Sequence, residues 1–326
     1  MHCTEEKSGK EAGWQTVIDL GSNTFQLLSG RISEGKLEIL LQHRAAAGIG
    51  KNGMGRKEIL PEARQRALHV LAEFAELLKA NKLSPASALV LATSAFRNAA
   101  NAPDVVQEIE TATGFRPQII SGDEEAALIF RGVKASGLLD GECHSLLMDI
   151  GGGSVEFILC RGTVPLWKKS FELGGLRLME QFHKTDPMPA EDVSGLEHFL
   201  RRGLAELWEK TAGIKNLRLV GCAGCFETIH TMLDKAAGPA RHGNSFSGNP
   251  LISAEELDAL FRRTVPLPEA ERKKLPGMHA FRAGMMVVAL ILIRTVVKET
   301  EIRDICSSSF ALKEGAFFRH FGNDEG

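Results

Sequence analysis

Leu146-Leu147-Met148-Asp149-Ile150-Gly151-Gly152-Gly153-Ser154-Val155-Glu156-Phe157-Ile158-Leu159-Cys160 is the stretch on which the fold turns. An apolar run ends in Asp149, three glycines and Ser154 follow, and an alternating run resumes through Val155, Phe157 and Leu159. This pattern predicts strand, tight turn, strand. Consecutive glycines let a backbone approach a ligand closely and turn its N–H groups toward an anion. Asp149, at the end of a buried strand, is placed to hold a hydrated Mg²⁺ beside that anion. Glu156 lies on the returning strand, where a hairpin can bring it to the same site. Taken alone, the segment also fits a plain glycine hairpin with a capping aspartate.

The pattern occurs twice. Near the N-terminus stands Val17-Ile18-Asp19-Leu20-Gly21-Ser22-Asn23-Thr24-Phe25-Gln26-Leu27. Aligned on Asp19 and Asp149, both segments read aspartate, Leu or Ile, glycine, two small or polar residues, Ser or Thr, then an apolar-rich strand. A further short strand follows each, at 36–43 and 164–172. The copies are 130 residues apart, roughly one domain length. Two related lobes presenting phosphate-gripping hairpins to a shared cleft are expected.

The 326 residues suffice for two domains with real cores. Hydrophobic residues at 44% and charged residues at 25% describe an ordinary globular chain. A net charge of −2 gives no general attraction to nucleic acid. Met1–Lys10 is polar and lacks the apolar stretch of a signal peptide, and the apolar run Met285–Ile293 is too short to span a bilayer. A cytoplasmic location is the expectation, with neither nucleic acid nor membrane as partner. Six dispersed cysteines argue for free thiols.

Further elements follow from periodicity. Residues 1–14 read as a loose leader, and 45–55 as a glycine-rich loop whose Lys51 either touches an anion or lies on a flexible connector. Helices are expected over 57–80, 102–113, 121–134, 190–211, 277–299 and 309–321, and strands over 88–94, 117–120, 216–220 and 301–305. Arg97, just past the C-terminal end of a strand, is a candidate phosphate clamp, because its planar fork suits phosphate oxygens. Residues 221–228 read as a glycine turn between strand and helix. Cys222-Ala-Gly-Cys225 there has the spacing of a redox pair, though one such pair alone does not make a structural zinc site. Pro239–Pro250 is a polar loop.

Five motifs in order carry a resemblance over about residues 15–321. They are Ile18–Phe25, Ala92-Thr93-Ser94-Ala95-Phe96-Arg97, Ile120-Ser121-Gly122-Asp123-Glu124-Glu125-Ala126, Asp149–Glu156 and Leu312-Lys313-Glu314-Gly315. Together they resemble the exopolyphosphatase/guanosine pentaphosphate phosphohydrolase family, in its short two-domain form. The resemblance implies an α/β fold: two lobes of related ribonuclease H-like topology, as in actin and the sugar kinases, with the active cleft between them. The first lobe is expected over 1–124 plus about 308–326, and the second over 125–307. The resemblance also implies hydrolysis of a terminal phosphoanhydride with Mg²⁺ or another divalent cation, on inorganic polyphosphate or guanosine pentaphosphate. Carried over by position, Gly21, Ser22, Asn23 and Thr24 hold phosphate from one lobe, and Gly151, Gly152, Gly153 and Ser154 from the other. Arg97 clamps it and shares in catalysis, Asp149 and Glu156 serve the metal or its waters, and Glu125 is the catalytic glutamate. A homodimer is the oligomeric state left open.

The chain departs from the family pattern at three places. Ala46-Ala47-Gly48-Ile49-Gly50-Lys51 replaces an arginine-bearing loop, Cys222 and Cys225 interrupt a glycine motif, and Arg282-Ala283-Gly284 lacks a carboxylate. A kinase of the same superfamily finds no support in an adenosine pocket, and a polyphosphate- or nucleotide-binding regulator with weak catalysis is the remaining alternative. For a long substrate, Arg44, Lys51, Lys168, Lys169, Arg177 and Arg282 are candidates for a basic track.

Overall fold

The computed structural model describes residues 13–139, 141–237, 245–246 and 249–322. The first lobe opens with a meander, β1 (Gln15–Leu20), β2 (Phe25–Ser33) and β3 (Lys36–Ala45). Next come α1 (Pro61–Ala80), β4 (Leu89–Ala92), α2 (Ser94–Asn98), α3 (Ala102–Thr113), β5 (Pro117–Ile119) and α4 (Gly122–Ala135). A second meander follows: β6 (His144–Ile150), β7 (Val155–Arg161) and β8 (Val164–Phe171). Then come α5 (Gly175–Phe182), α6 (Ala190–Gly203), α7 (Ala205–Thr211), β9 (Arg218–Cys222) and α8 (Ala223–Ala237). Two-residue strands β10 (Ser245–Phe246), β11 (Asn249–Pro250) and β12 (Ile252–Ser253) precede α9 (Ala254–Thr264), α10 (Glu269–Arg272) and α11 (Met285–Glu299). The chain closes on β13 (Asp304–Ser308) and α12 (Leu312–Phe321).

The two sheets share one plan. The first runs β3-β2-β1-β4-β5, and the second runs β8-β7-β6-β9-β13 with β12 added at its edge. In each, the meander is antiparallel and its first strand pairs in parallel with the later strand, β1 with β4 and β6 with β9. The doubled sequence pattern is thus a doubled topology, and both copies of the aspartate lie on the first strand of a meander, beside its parallel partner. Ligands gather at the C-terminal ends of such strands.

Helix α11 is buried along almost its whole length and forms the centre of the second lobe's core. A separate cluster in the first lobe packs α1 and α3 on its sheet. A third joins the lobes: Val17, Leu28 and Leu91 from the first sheet meet Leu147, Ile158 and Val220 from the second through Leu128, Ile129 and Phe317 of α4 and α12. Helix α12 packs on α4, β1 and β2. The crossing of α4 and α12 depends on two glycines. A Cβ on Gly132 would lie 2.1 Å from the Ala311 carbonyl oxygen, and one on Gly315 would lie 1.7 Å from that of Leu128. Gly315 closes the last sequence motif, so that motif is a packing device as well as a site element.

Element ends differ from the periodicity reading where local chemistry overrides it. Helix α1 begins at Pro61, not 57, because proline fixes φ and lacks an N–H, which suits the first helical position. The expected helix over 190–211 breaks at Gly203-Leu204, glycine being a poor helix former. The apolar helix begins at Met285, not 277, preceded by a 3₁₀ turn at Ala280–Arg282. The last strand starts at Asp304, because Glu301 adopts φ 54°, a left-handed conformation no strand residue takes. Asn216, at φ 54°, likewise delays β9 to Arg218. The segment 88–94 divides: β4 ends at Ala92 and Ser94 opens α2, so Arg97 rides a short helix. Residues 1–12 of the leader, and most of the 239–250 loop, lie outside the described residues. Among the described residues no helix is long and apolar enough to cross a membrane.

Candidate active site

The two glycine hairpins adopt the same register. In the first, Asp19 pairs with Gln26 and Leu20 with Phe25; in the second, Asp149 pairs with Glu156 and Ile150 with Val155. Cross-strand neighbours sit about 4.5–5.5 Å apart at Cβ, so the hairpin itself brings Asp149 and Glu156 together. The chemistry then diverges. Gln26 Nε2 donates to Asp19 Oδ2 at 3.3 Å, whereas the second hairpin sets two carboxylates side by side.

The turns present N–H groups because their carbonyls are engaged elsewhere. The oxygens of Ser22 and Asn23 accept from the Gly50 and Gly48 amides at 2.8 and 2.9 Å. Those of Gly151, Gly152 and Gly153 accept from Gly175, Leu176 and Gly174 at 2.9, 2.8 and 3.2 Å. In a planar trans peptide the next N–H points the opposite way. The amides of Asn23, Thr24, Gly152, Gly153 and Ser154 therefore face away from these buttresses, and all five residues line one pocket. Such a cradle of N–H groups suits an anion. The 45–55 loop, read either as touching an anion through Lys51 or as a connector, supports the first turn from behind; Lys51 is exposed and is not part of the pocket lining.

That pocket has a volume of about 100 Å³. It gathers Gly21, Ser22, Asn23 and Thr24 with Gly151, Gly152, Gly153 and Ser154, and adds Asp19, Glu125, Asp149 and Glu156. Ser22 Oγ is buried without a hydrogen-bond partner among the described residues. Glu125 stands in the first turn of α4, which Ser121 caps by accepting from the Glu124 amide at 3.1 Å. Arg97 sits behind Glu125: its Nη1 donates to Glu125 Oε2 at 2.9 Å and to the Ile120 carbonyl at 3.0 Å. Arg97 Nη2 is buried without a hydrogen bond among the described residues, 3.8 Å from Glu172 Oε1. Glu172 in turn accepts from Asn98 Nδ2 at 2.9 Å. Glu124, the neighbouring carboxylate, faces outward and pairs with Arg319 at 3.0 Å.

Four buried carboxylates in one place are electrostatically costly. Burial and the nearby Glu125 charge push Asp19 to about 8 and Asp149 to about 7, with Lys313 pulling both down. Glu156 is held well above the ordinary carboxylate range, first by burial and then by Glu125 and Asp149, although Ser170 Oγ donates to it at 2.6 Å. Glu125 is also raised by burial, against the pull of Arg97. Asp19 Oδ1 is buried and has no hydrogen-bond partner among the described residues. This donor set, hard oxygens with an orphaned acceptor and excess negative charge, fits a hard divalent cation. Among the described residues no group of three or more His, Cys, Asp or Glu forms a metal cage. Mg²⁺ does not need one: it is held by one or two carboxylates with waters and substrate phosphate oxygens.

The sequence model of the Ppx/GppA phosphatase family matches residues 30–323. The chain belongs to that family. Its fold is that of an exopolyphosphatase from Cytophaga hutchinsonii, at TM-score 0.87 and 33% identity, covering 95% of this chain and 98% of the other. The Aquifex aeolicus PPX-GPPA enzyme has the same fold at TM-score 0.73 and 22% identity, over 94% of this chain and all of that one. A curated Haemophilus influenzae protein, provisionally named an exopolyphosphatase, is 25% identical over 93% of this chain and 90% of its own length. The Ppx/GppA fold thus accounts for both lobes of the actin-like architecture.

Within this Ppx/GppA chain the structure also brings in residues that motif reading passed over. Asp19 was legible as the counterpart of Asp149. Lys313 lies buried 2.7 Å from Glu314 at the pocket floor, on the last motif. Glu227 lines the pocket wall and has no sequence signal. The candidate basic track does not form a single groove. Arg44 and Arg282 line the pocket, Lys169 pairs with Glu206, Lys168 donates to the Asp123 carbonyl, and Arg177 donates to the Gly153 carbonyl. The expected glycine turn at 221–228 is absent, since β9 runs to Cys222 and α8 begins at Ala223. Gly224 is there for another reason: a Cβ on it would lie 1.7 Å from Arg282 Nη2.

Proposed function

We propose that the protein is an exopolyphosphatase, an acid anhydride hydrolase that removes the terminal phosphate of inorganic polyphosphate. The observation that carries this reading is the placement of Glu125. It is a buried carboxylate in the wall of a pocket whose other walls are two N–H cradles. Phosphoanhydride hydrolysis asks for an in-line water and for stabilised charge on the transferring group and leaving oxygen. In this reading the amides of Asn23, Thr24 and Gly152–Ser154 hold the terminal phosphate. Asp149 and Glu156, with Asp19 beside them, hold Mg²⁺, which supplies charge neutralisation at the phosphate oxygens. Glu125 orients the water and takes its proton. A base is most effective when its pKa approaches the working pH, and burial moves Glu125 in that direction. Arg97 fixes the Glu125 carboxylate, and its charge opposes the rise that burial causes.

The activity is read as cytoplasmic, without nucleic-acid or membrane partners. Guanosine pentaphosphate offers the same anhydride chemistry and is the competing substrate. The test is phosphate release by the purified protein with Mg²⁺ on long polyphosphate, tripolyphosphate, guanosine pentaphosphate and ATP. The expected result is fastest release from polyphosphate; release from none of the four would overturn the hydrolase reading.

A further inference from the structure

The pocket of a protein that binds polyanions contains a carboxylate that no step above uses. Glu227, on α8 of the second lobe, reaches across the cleft to Arg44 at the end of β3 in the first. The contact is two-pronged: Arg44 Nη1 donates to Oε2 at 2.8 Å and Nη2 to Oε1 at 3.3 Å. Arg282 Nη1 lies 3.7 Å from the same Oε2. All three residues line the pocket between the hairpins.

Each guanidinium is anchored independently of Glu227. Arg44 donates from Nε and Nη2 to Gln26 Oε1 at 3.3 and 3.2 Å, and Gln26 is fixed opposite Asp19 in the first hairpin. Arg282 is buried and donates to the Gly224 carbonyl and to Thr228 Oγ1, the latter at 3.0 Å. The fork is therefore built before Glu227 contributes anything. Glu227 is the most exposed of the three, its side chain 35% exposed against 28% for Arg44 and 5% for Arg282. A guanidinium fork accepts a carboxylate and a phosphate with the same paired geometry.

Resting on the exopolyphosphatase reading above, we propose that Arg44 and Arg282 form the subsite for a phosphate next to the scissile one, and that the Glu227 carboxylate occupies this subsite until substrate displaces it. Glu227 then sets affinity for the phosphate chain. It is not a catalytic residue, because it takes no part at the reacting atoms. In the free protein its single charge offsets part of the positive charge of the two arginines, and its contact with Arg44 ties the lobes together. On binding, a substrate phosphate takes over the fork and Glu227 turns to solvent.

The experiment compares wild type with Glu227→Gln, which keeps size and hydrogen-bonding capacity but removes the competing charge. Binding of tripolyphosphate is measured by calorimetry without added Mg²⁺, so no turnover is needed. The variant is expected to bind about tenfold more tightly, equivalent to about 1.4 kcal/mol. Under turnover with Mg²⁺, KM for polyphosphate should fall by a similar factor while kcat stays put. Equal or weaker binding by the variant, or no binding by either protein, overturns the proposal and makes Glu227 an organiser of Arg44. Glu227→Ala is read in its place if Glu227→Gln does not fold. Crystals of the wild type grown with tripolyphosphate give an independent readout. An Arg44–Glu227 contact opened by a phosphate supports the proposal, and one kept at its present length overturns it. Wild type that binds tripolyphosphate yet hydrolyses none of the four substrates would overturn the hydrolase reading while leaving this comparison decisive.

Discussion

Arg97 Nη1 lies 2.9 Å from Glu125 Oε2, although Glu125 belongs to α4 and Arg97 to the short helix α2 after β4. One arginine thereby fixes the direction of a glutamate in the wall of the pocket. Consecutive helical residues project about 100° apart, and the adjacent Glu124 points outward to Arg319. Glu125→Gln is expected to cut turnover by about 10²–10⁴-fold, the usual cost of losing a general base, while tripolyphosphate still binds. Glu124→Gln should change turnover by less than about twofold, since an exposed pair contributes little. Steady-state kinetics of the two variants decides, and an inverted pattern would move the base to Glu124.

The Arg97 charge favours ionised Glu125. Removing it as Arg97→Gln should raise the Glu125 pKa further. The base is active when deprotonated, so the acid limb of the pH profile of kcat/KM is expected to move to higher pH. An acid limb that does not move would mean that Arg97 acts on substrate and not through Glu125.

Asp19 and Asp149 carry folded-state values of about 8 and about 7 against an ordinary 3.8. A raised value means that the native state keeps protons the unfolded chain has released. Stability of the metal-free protein is therefore fullest below about pH 4 for these two groups and is lost as pH rises toward 8. Divalent cations need the deprotonated forms. The thermal midpoint in EDTA should fall across that window, and Mg²⁺ should raise it more at pH 8 than at pH 5. A Mg²⁺ effect independent of pH would place the ion elsewhere.

Gly315→Ala drives a methyl into the Leu128 carbonyl at the crossing of α12 and α4. Overpacking of this kind costs about 1–3 kcal/mol, and here backbone rather than a flexible side chain must move. Gly195→Ala in α6, where a Cβ meets nothing within 4 Å, should instead stabilise by about 0.4–1 kcal/mol. Urea unfolding of the two variants tests the contrast.

Cys222 and Cys225 are buried, and burial pushes the Cys225 thiol to about 11 and Cys222 well above its ordinary value. At neutral pH both are thiols, not the reactive thiolates of a redox pair. The double serine variant is expected to hydrolyse within about threefold of wild type, because serine is close to cysteine in size and neither thiol has a reactive thiolate to lose. Loss of activity on oxidation that reductant reverses, and that the double variant lacks, would show a switch at this pair.

The hairpins were legible because their information is local. Asp19 to Gln26 and Asp149 to Glu156 carry the same spacing, a two-stranded turn converts that spacing into cross-strand pairing, and glycines at 21 and 151–153 announce the turn. The doubled pattern sufficed for two lobes of one topology. Helix and strand ends were less legible, since a proline at 61 or a left-handed residue at 301 overrides hydrophobic period within a residue or two. What closed the site was not in any local pattern. Arg44 and Glu227 are 183 residues apart, and nothing in the sequence around either one names the other. Their contact exists because α4 and α12, touching backbone to backbone at Gly132 and Gly315, join the two sheets. Local spacing sets which groups a hairpin presents; only the packing of one lobe on the other decides which charges meet across the cleft between them.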